Sequence, residues 1–191
     1  MRAHGEFPET LFRSFDKLEY AQQFVSGSIR FGTVLSYKKN EDERRRDATE
    51  GTGRFVCEGV QSEVEFCSNV VYALCCHKSL ESALKTNYGK YIVEIGDPLY
   101  LAEEITRTLR NLNTKHFGGI EGVSIEYTKG EAVSQKPNSY GISRLTYSQK
   151  PPCFSDDNEF RFIFIHKEFA GNHIFIPLNK CIKGCVIHDY T

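Results

Sequence analysis

Polar and apolar side chains alternate along several short stretches of this 191-residue chain. Alternation with a period of two is typical of β-strands, because successive side chains of a strand point to opposite faces. The stretches are also rich in aromatic and β-branched residues, which favour strands. The longer predicted strands span residues 54–60, 63–66, 70–77, 91–95, 123–127, 159–166 and 173–177. Shorter ones span 11–15 and 29–31, and residues 182–188 are a candidate for the strand that closes the sheet.

Two stretches predict helices. Residues 18–26 follow Asp16, a residue that can cap a helix, and Gly27 ends them. Residues 99–112 follow Asp97 and Pro98 and carry apolar side chains at helical spacing. Glycines in 118–122 predict a break in the chain, and the turn-rich segment 134–153 predicts a surface loop. The pattern therefore predicts an α+β fold dominated by sheet, with residues 1–191 forming a single domain.

The composition favours a globular protein and gives no sign of a membrane protein. Hydrophobic residues make up 40% and charged residues 26% of the chain, as in globular proteins. The net charge of −1 provides no global attraction to nucleic acid or to a membrane surface. No apolar run is long enough for a signal peptide or a membrane span, so we expect no membrane partner. Seven cysteines without an export signal predict reduced thiols and a cytoplasmic location.

Glu159 is the first candidate for chemistry. It opens a predicted strand in which Phe160, Phe162 and Phe164 share one face, while Glu159 and Arg161 share the other. A carboxylate and a guanidinium at the start of a buried strand are costly unless they are paired or used. One interpretation is catalytic, and the other is a structural ion pair between these two side chains.

The polar stretch 35–53 is the second candidate. Tyr37 precedes three successive arginines (44–46), and Asp47 and Glu50 follow them. Such arginines suit phosphate or carboxylate, although neighbouring acidic residues can also neutralise them in a solvated loop. No glycine-rich phosphate loop is present, so a bound nucleotide would have to be held in another way.

Other kinds of site have less support. The histidines, His77 among them, are scattered along the chain, and we expect them to be ordinary surface or core residues. Cys181, Cys185 and His188 lack the fourth ligand that zinc prefers, which favours ordinary burial over a metal site. A hydrolase with paired carboxylates would require Glu159 to meet Glu50 or Asp47 across the fold.

The order of these elements resembles the ADP-ribosyltransferase fold. That fold opens with a short strand carrying an Arg or His, here Arg13, followed by a helix and a turn like residues 27–31. A late strand presents a Glu near its start, here Glu159. The segments 37–51 and 158–161 also resemble uncharacterised bacterial domains, some of whose relatives act as toxins or phage-defence effectors. Residues 72–76 replace the Ser-Thr-Ser motif, which places the sequence nearer the His/Arg–Tyr–Glu form of the fold.

The resemblance implies a split β-sheet and an NAD-dependent ADP-ribosyltransferase. NAD would be the ADP-ribose donor, and Glu159 would stabilise the positive charge that develops on its ribose. The other implied contacts are Arg13 on ribose or pyrophosphate, Tyr37 stacked on nicotinamide, and a closing loop that contains Arg46, Asp47 and Glu50. The acceptor would be a macromolecule, either RNA, DNA or protein. A toxin of this kind would also have a neutralising protein partner.

Two alternatives to the transferase stay open at the level of sequence. The polar stretch would serve as an interaction surface if the chain were a non-catalytic regulatory module. A hydrolase would cleave NAD without an acceptor.

Overall fold

The computed structural model describes residues 3–38, 50–57, 60–65, 69–112, 116–128, 133–134 and 139–190. These residues form a mixed α/β fold in which most strand pairs are antiparallel. The helices are α1 Leu18–Val25, α2 Val34–Lys38, α3 Leu80–Thr86, α4 Pro98–Asn111 and α5 Ser139–Ser148, with a 3₁₀ helix at Pro152–Asp157. No helix within the described ranges is both long and apolar enough to cross a membrane.

The strands fall into one large and two small sheets. The large sheet contains β1 Leu11–Phe15, β2 Ser28–Thr33, β5 Val71–His77, β6 Tyr91–Ile95, β7 His116–Ser124, β11 Glu159–His166, β12 His173–Pro177 and β13 Cys185–Asp189. One small sheet contains β3 Thr52–Cys57, β4 Val60–Glu65 and β9 Val133–Ser134. The other pairs β8 Glu126–Tyr127 with β10 Gln149–Lys150.

Strand β5 is the centre of the large sheet. Along one edge it pairs with β11 over its whole length, from Val71 opposite Ile165 to His77 opposite Glu159. Its other edge is shared by two strands: β2 pairs with Tyr72 and Ala73, and β1 pairs with His77. Among the described strands, none pairs with residues 74–76 on this second edge. The sheet therefore opens between β2 and β1.

The alternation predicted for residues 159–165 is confirmed. Phe160, Phe162 and Phe164 lie in the larger hydrophobic core, together with residues from α1 and α4. Ile163, on the opposite face, lies in a second cluster that also contains Tyr147 of α5. The large sheet is thus covered on both faces, which explains why β11 is apolar on both sides after its first charged residues.

Strand β7 shows that the predicted chain break at residues 118–122 was wrong. Gly122 is paired with Phe162 inside this strand. A Cβ atom on Gly122 would lie 2.7 Å from ring atoms of both Phe7 and Phe160. Glycine therefore serves here to make room for aromatic rings.

Two further details of the prediction were wrong. The segment 134–153 contains helix α5 because Leu145 and Tyr147 are buried, and Leu145 packs so closely on β3 that only glycine fits at position 53. Helix α1 starts at the predicted residue, but its N-cap is Lys17, whose side chain makes no capping hydrogen bond. The bounds predicted for β1, β6, β11 and β12 are confirmed, and those predicted for the other strands differ from the observed ones.

The core of β11 provides a stability test. Phe162 is 0% exposed, and Phe175 on edge strand β12 is 58% exposed. Phe162→Ala should lower the free energy of unfolding by about 3–5 kcal/mol, because a buried phenylalanine is replaced by a cavity. Phe175→Ala is the matched control and should lower it by less than about 1 kcal/mol. Urea unfolding followed by circular dichroism measures the free energy of unfolding of both variants. Equal losses would show that Phe162 is not buried in the core as described.

Candidate functional site

A pocket of about 140 Å³ lies at the opening between β1 and β2. Its walls come from β1, β5 and β11, from the turn at Glu50 and from the segment that includes Lys150 and Asp157. Pockets for small ligands are commonly about 300–1,000 Å³. The space therefore suits a small molecule or one end of a larger one.

Arg161 lies at the centre of the charged wall and is 1% exposed. Its Nε donates to Glu159 Oε1 at 2.6 Å, and its two Nη atoms donate to the two oxygens of Glu50 at 2.5 and 2.9 Å. Nη1 also donates to the carbonyl of Tyr147 at 3.1 Å. One guanidinium thus joins β11, the turn before β3 and the end of α5. Glu159 meets Glu50 across the fold, but with this guanidinium bound to both.

Lys150 and Asp157 extend the cluster. Lys150 Nζ lies 2.7 Å from Glu159 Oε2 and 3.0 Å from Asp157 Oδ2, and both of its carboxylate partners are buried. The Tyr88 hydroxyl donates to the remaining oxygen of Asp157 at 2.8 Å. Asn158 then turns the chain into β11 with a left-handed φ of 41°. These contacts make Lys150 a paired cation, not a free one.

The two glutamates have pKa values displaced in opposite directions. Burial alone would raise the pKa of Glu159, but the charges of Arg161 and Lys150 outweigh burial and hold it well below its usual range. Burial raises the pKa of Glu50, and the charge of Arg161 only partly opposes this rise. Glu159 is therefore ionised at neutral pH, while Glu50 is the carboxyl that takes up a proton more readily.

Arg13 and Ser14 enter the pocket from β1. Arg13 Nη1 donates to the Cys75 carbonyl at 2.5 Å, on the edge of β5 that neither β1 nor β2 covers. Among the residues that the structure describes, neither Arg13 Nε nor Ser14 Oγ has a hydrogen-bond partner, and both atoms are buried. Within the described ranges, no carboxylate forms an ion pair with Arg13, and Glu159 pairs with Lys150 and Arg161 instead.

Tyr37 closes another side of the pocket. Its hydroxyl donates to the Ala73 carbonyl at 3.1 Å, at the residue where the pairing of β5 with β2 ends. Burial raises the pKa of Tyr37, and the neighbouring Cys75 thiol adds to this effect. Burial likewise raises the pKa of Cys75, and the charge of Glu159 raises it further. Both groups are neutral hydrogen-bonding groups at physiological pH.

Four of the six predicted site residues meet in this pocket. Glu159, Tyr37, Arg13 and Glu50 all line it, although they lie far apart in sequence. The predicted Arg46 and Asp47 lie outside the residues that the structure describes, as do the other two arginines of that run. The roles assigned to individual residues stay predictions.

Sequence reasoning missed several pocket residues. Four of them are His77, Ser14, Lys150 and Asp157. The sequence predicts an ordinary histidine at position 77, and the structure places it in the pocket wall. His77 ends a strand and Asp157 immediately precedes Asn158 and β11. Polar residues at strand ends are therefore the signal that would have found these two residues. Within the described ranges, no group of three or more potential metal ligands is found.

Comparisons with known proteins give a partial similarity to a curated enzyme. No protein-family model and no solved structure matches the chain. The chain is 36% identical over 81 residues to a 2,3-bisphosphoglycerate-dependent phosphoglycerate mutase from Lactobacillus acidophilus. The match covers 42% of this chain, and the chain spans about a third (32%) of the length of this curated relative.

This similarity corrects the function predicted from sequence. The chain was predicted to be an NAD-dependent ADP-ribosyltransferase, but the relative is named as a mutase, which is a different class of enzyme. The predicted transfer of ADP-ribose and the predicted enzyme class are therefore both contradicted. The earlier interpretation relied on short motifs whose residues do meet in space, but whose charges are largely paired with one another.

The central guanidinium should be essential for stability. Arg161→Met leaves Glu50 and Glu159 buried without their main partner, so we expect a loss of about 3–5 kcal/mol in the free energy of unfolding. Arg54→Met is the matched control, because Arg54 pairs with Glu63 at 2.9 Å on the surface, and it should cost less than about 1 kcal/mol. Urea unfolding measures both variants. A loss for Arg161→Met as small as that of the control would contradict the buried cluster.

The opposite pKa displacements predict opposite pH profiles. Glu159 has a lowered folded pKa, so its contribution to stability is present above its unfolded pKa and disappears as the pH falls through the folded value. Glu50 has a raised folded pKa, so its contribution is present at low pH and disappears as the pH rises through that value.

Unfolding free energies of wild type, Glu159→Gln and Glu50→Gln should be measured from pH 3 to 8. Wild type should have a higher free energy of unfolding than Glu159→Gln at neutral pH, and this difference should shrink below about pH 4.5, near the ordinary pKa of a glutamate. The difference in free energy of unfolding between wild type and Glu50→Gln should instead shrink as the pH rises above this ordinary pKa. If the free energies of unfolding of the two variants changed with pH in the same way, the opposite displacement of the two glutamate pKa values would be ruled out.

Proposed function

We propose that this chain binds a small phosphate ester in the pocket between β1 and β2, with Arg13 as the residue that holds the phosphate. The observation that carries the proposal is a pair of buried donors in one pocket, Arg13 Nε and Ser14 Oγ, for which the described part of the chain offers no acceptor. Buried polar groups are nearly always hydrogen-bonded. Two such donors facing one cavity therefore indicate that a ligand or ordered water supplies their acceptors.

The charges in the pocket favour an anionic group. Arg161 and Lys150 are already bound to carboxylates, whereas Arg13 contacts a neutral carbonyl. Among the described cations of the pocket, Arg13 is therefore the one whose charge a ligand would neutralise. A guanidinium suits phosphate in particular, because its planar donors match the spacing of two phosphate oxygens.

The partial relative supports the same chemistry. Its name refers to phosphoglycerate and bisphosphoglycerate, both phosphate esters of a small hydroxy acid. Because the chain spans only a third of that protein, its mutase activity is not carried over. NAD, which the fold resemblance implies, also carries phosphates and hydroxyl groups and belongs in the same set of candidate ligands.

We also infer that the opening beside β5 corresponds to the split sheet of the ADP-ribosyltransferase fold. The support is the division of one edge of β5 between β2 and β1, with Arg13 beside the gap. This inference concerns the fold alone. A macromolecular partner, a neutralising protein and a cytoplasmic location stay predictions.

Four three-carbon compounds test the proposed ligand class by calorimetric titration: glycerol 3-phosphate, 3-phosphoglycerate, glycerate and glycerol. NAD is titrated alongside. The two phosphate esters should bind, and glycerate and glycerol should bind at least about 10-fold more weakly. Arg13→Gln should weaken binding of the esters by about 10- to 100-fold, because charge-assisted hydrogen bonds are lost.

Arg30→Gln is the matched control, since Arg30 lies exposed on β2, and it should bind the esters like wild type. Circular dichroism checks that each variant is folded. Glycerate binding as tightly as 3-phosphoglycerate, or full affinity in Arg13→Gln, would overturn the proposal. So would a failure of every phosphate compound to bind the wild type.

A further inference from the structure

His77 has a fixed orientation in the wall of the pocket. Its Nδ1 lies 2.7 Å from the backbone carbonyl of Asp157. The ring also lies near Tyr88, with the centroids 5.9 Å apart. His77 is only 6% exposed, so neither contact is open to free exchange with water.

The carbonyl determines which ring nitrogen carries the proton. A carbonyl oxygen only accepts hydrogen bonds, so Nδ1 must be the donor, and the neutral ring then has its lone pair on Nε2. Burial lowers the pKa of His77 below its ordinary value, and the positive charge of Arg13 acts in the same direction. The carboxylates of Asp157 and Glu159 oppose this lowering without overcoming it.

Other acceptors around the pocket already receive hydrogen bonds. The carbonyls of Ala73 and Cys75 are used by Tyr37 and Arg13. The oxygens of Asp157 are used by Tyr88 and Lys150, and those of Glu159 by Arg161 and Lys150. For His77 Nε2, by contrast, no donor is found within the described ranges.

We infer that His77 selects the ligand through Nε2, which accepts a hydrogen bond from a hydroxyl group on the bound phosphate ester. This inference rests on the proposed function and makes it more specific, because it names a hydroxylated phosphate ester as the ligand class. The two sides of the pocket then have complementary tasks. Arg13 and Ser14 donate to the phosphate, and His77 accepts from the hydroxyl.

A matched pair of ligands isolates the hydroxyl contact. Glycerol 3-phosphate and propyl phosphate have the same number of carbons and the same phosphate, but propyl phosphate has no hydroxyl group. Wild type should bind glycerol 3-phosphate about 3- to 10-fold more tightly, as expected for one net hydrogen bond. His77→Leu should bind the two compounds equally, and His77→Gln, which restores an acceptor, should regain part of the preference.

The control variant is His188→Leu. His188 pairs with Glu94 at 2.9 Å, away from the pocket, and its loss should leave the preference unchanged. Lowering the pH should abolish the preference once His77 is protonated, below the ordinary histidine range of about 6.5. Taking the ratio of the two affinities cancels the titration of the phosphate, which both ligands share.

The outcomes separate this inference from the proposed function. If both phosphates bind wild type with equal affinity, or if His77→Leu keeps the preference, the role of His77 is overturned while phosphate binding stands. If neither phosphate binds, the proposed function fails and this inference fails with it.

A measurement on wild type covers the case in which His77→Leu does not fold. Long-range ¹H–¹⁵N NMR reports which ring nitrogen is protonated. We expect the Nδ1–H form, with an Nε2 shift that changes more with glycerol 3-phosphate than with propyl phosphate. A free protein in the Nε2–H form would overturn the inference.

Discussion

A guanidinium with almost no contact with water organises this molecule. Arg161 is charged, lies inside the fold and needs partners of opposite charge within hydrogen-bonding distance, because an unpaired buried charge is prohibitively costly. Its partners come from separate parts of the chain: Glu159 two residues earlier, Glu50 before β3, and the carbonyl of Tyr147 at the end of α5. The requirement to satisfy one side chain therefore fixes the position of the small β3 sheet and of α5 against the large sheet.

The pocket follows from a second constraint, the incomplete edge of β5. Since β2 and β1 share that edge, no described strand pairs with residues 74–76 between them. Side chains provide hydrogen bonds to the backbone there: Tyr37 donates to the Ala73 carbonyl, and Arg13 donates to the Cys75 carbonyl. Polar side chains that donate to β5 in place of a neighbouring strand also place a hydroxyl and a guanidinium in the middle of the sheet. The site thus lies where the backbone needs side-chain donors, and its two main donors are held rigidly for that reason.

The two constraints together explain the electrostatic character of the site. Lys150 and Arg161 have their charges balanced by carboxylates, so they shape the wall without attracting a further anion. Within the described ranges Arg13 donates to the neutral carbonyl of Cys75. His77 presents a neutral ring because burial lowers its pKa, while the Asp157 carbonyl fixes which ring nitrogen carries the proton. A pocket with an unbalanced donor on one side and an acceptor on the other is suited to a ligand that combines an anionic group with a hydroxyl.

The sequence by itself determined the local features that depend on neighbouring residues. Alternation along residues 159–165 predicted which face of β11 enters the core, and four of six predicted site residues do meet in one pocket. Arg46 and Asp47 lie outside the described residues. Only the tertiary structure decided which charges are paired, because the distance from Glu50 to Arg161 depends on how distant segments pack. For the same reason only the fold could show that Gly122 in β7 makes room for aromatic rings, that α5 forms by packing on β3, and that His77 belongs to the site.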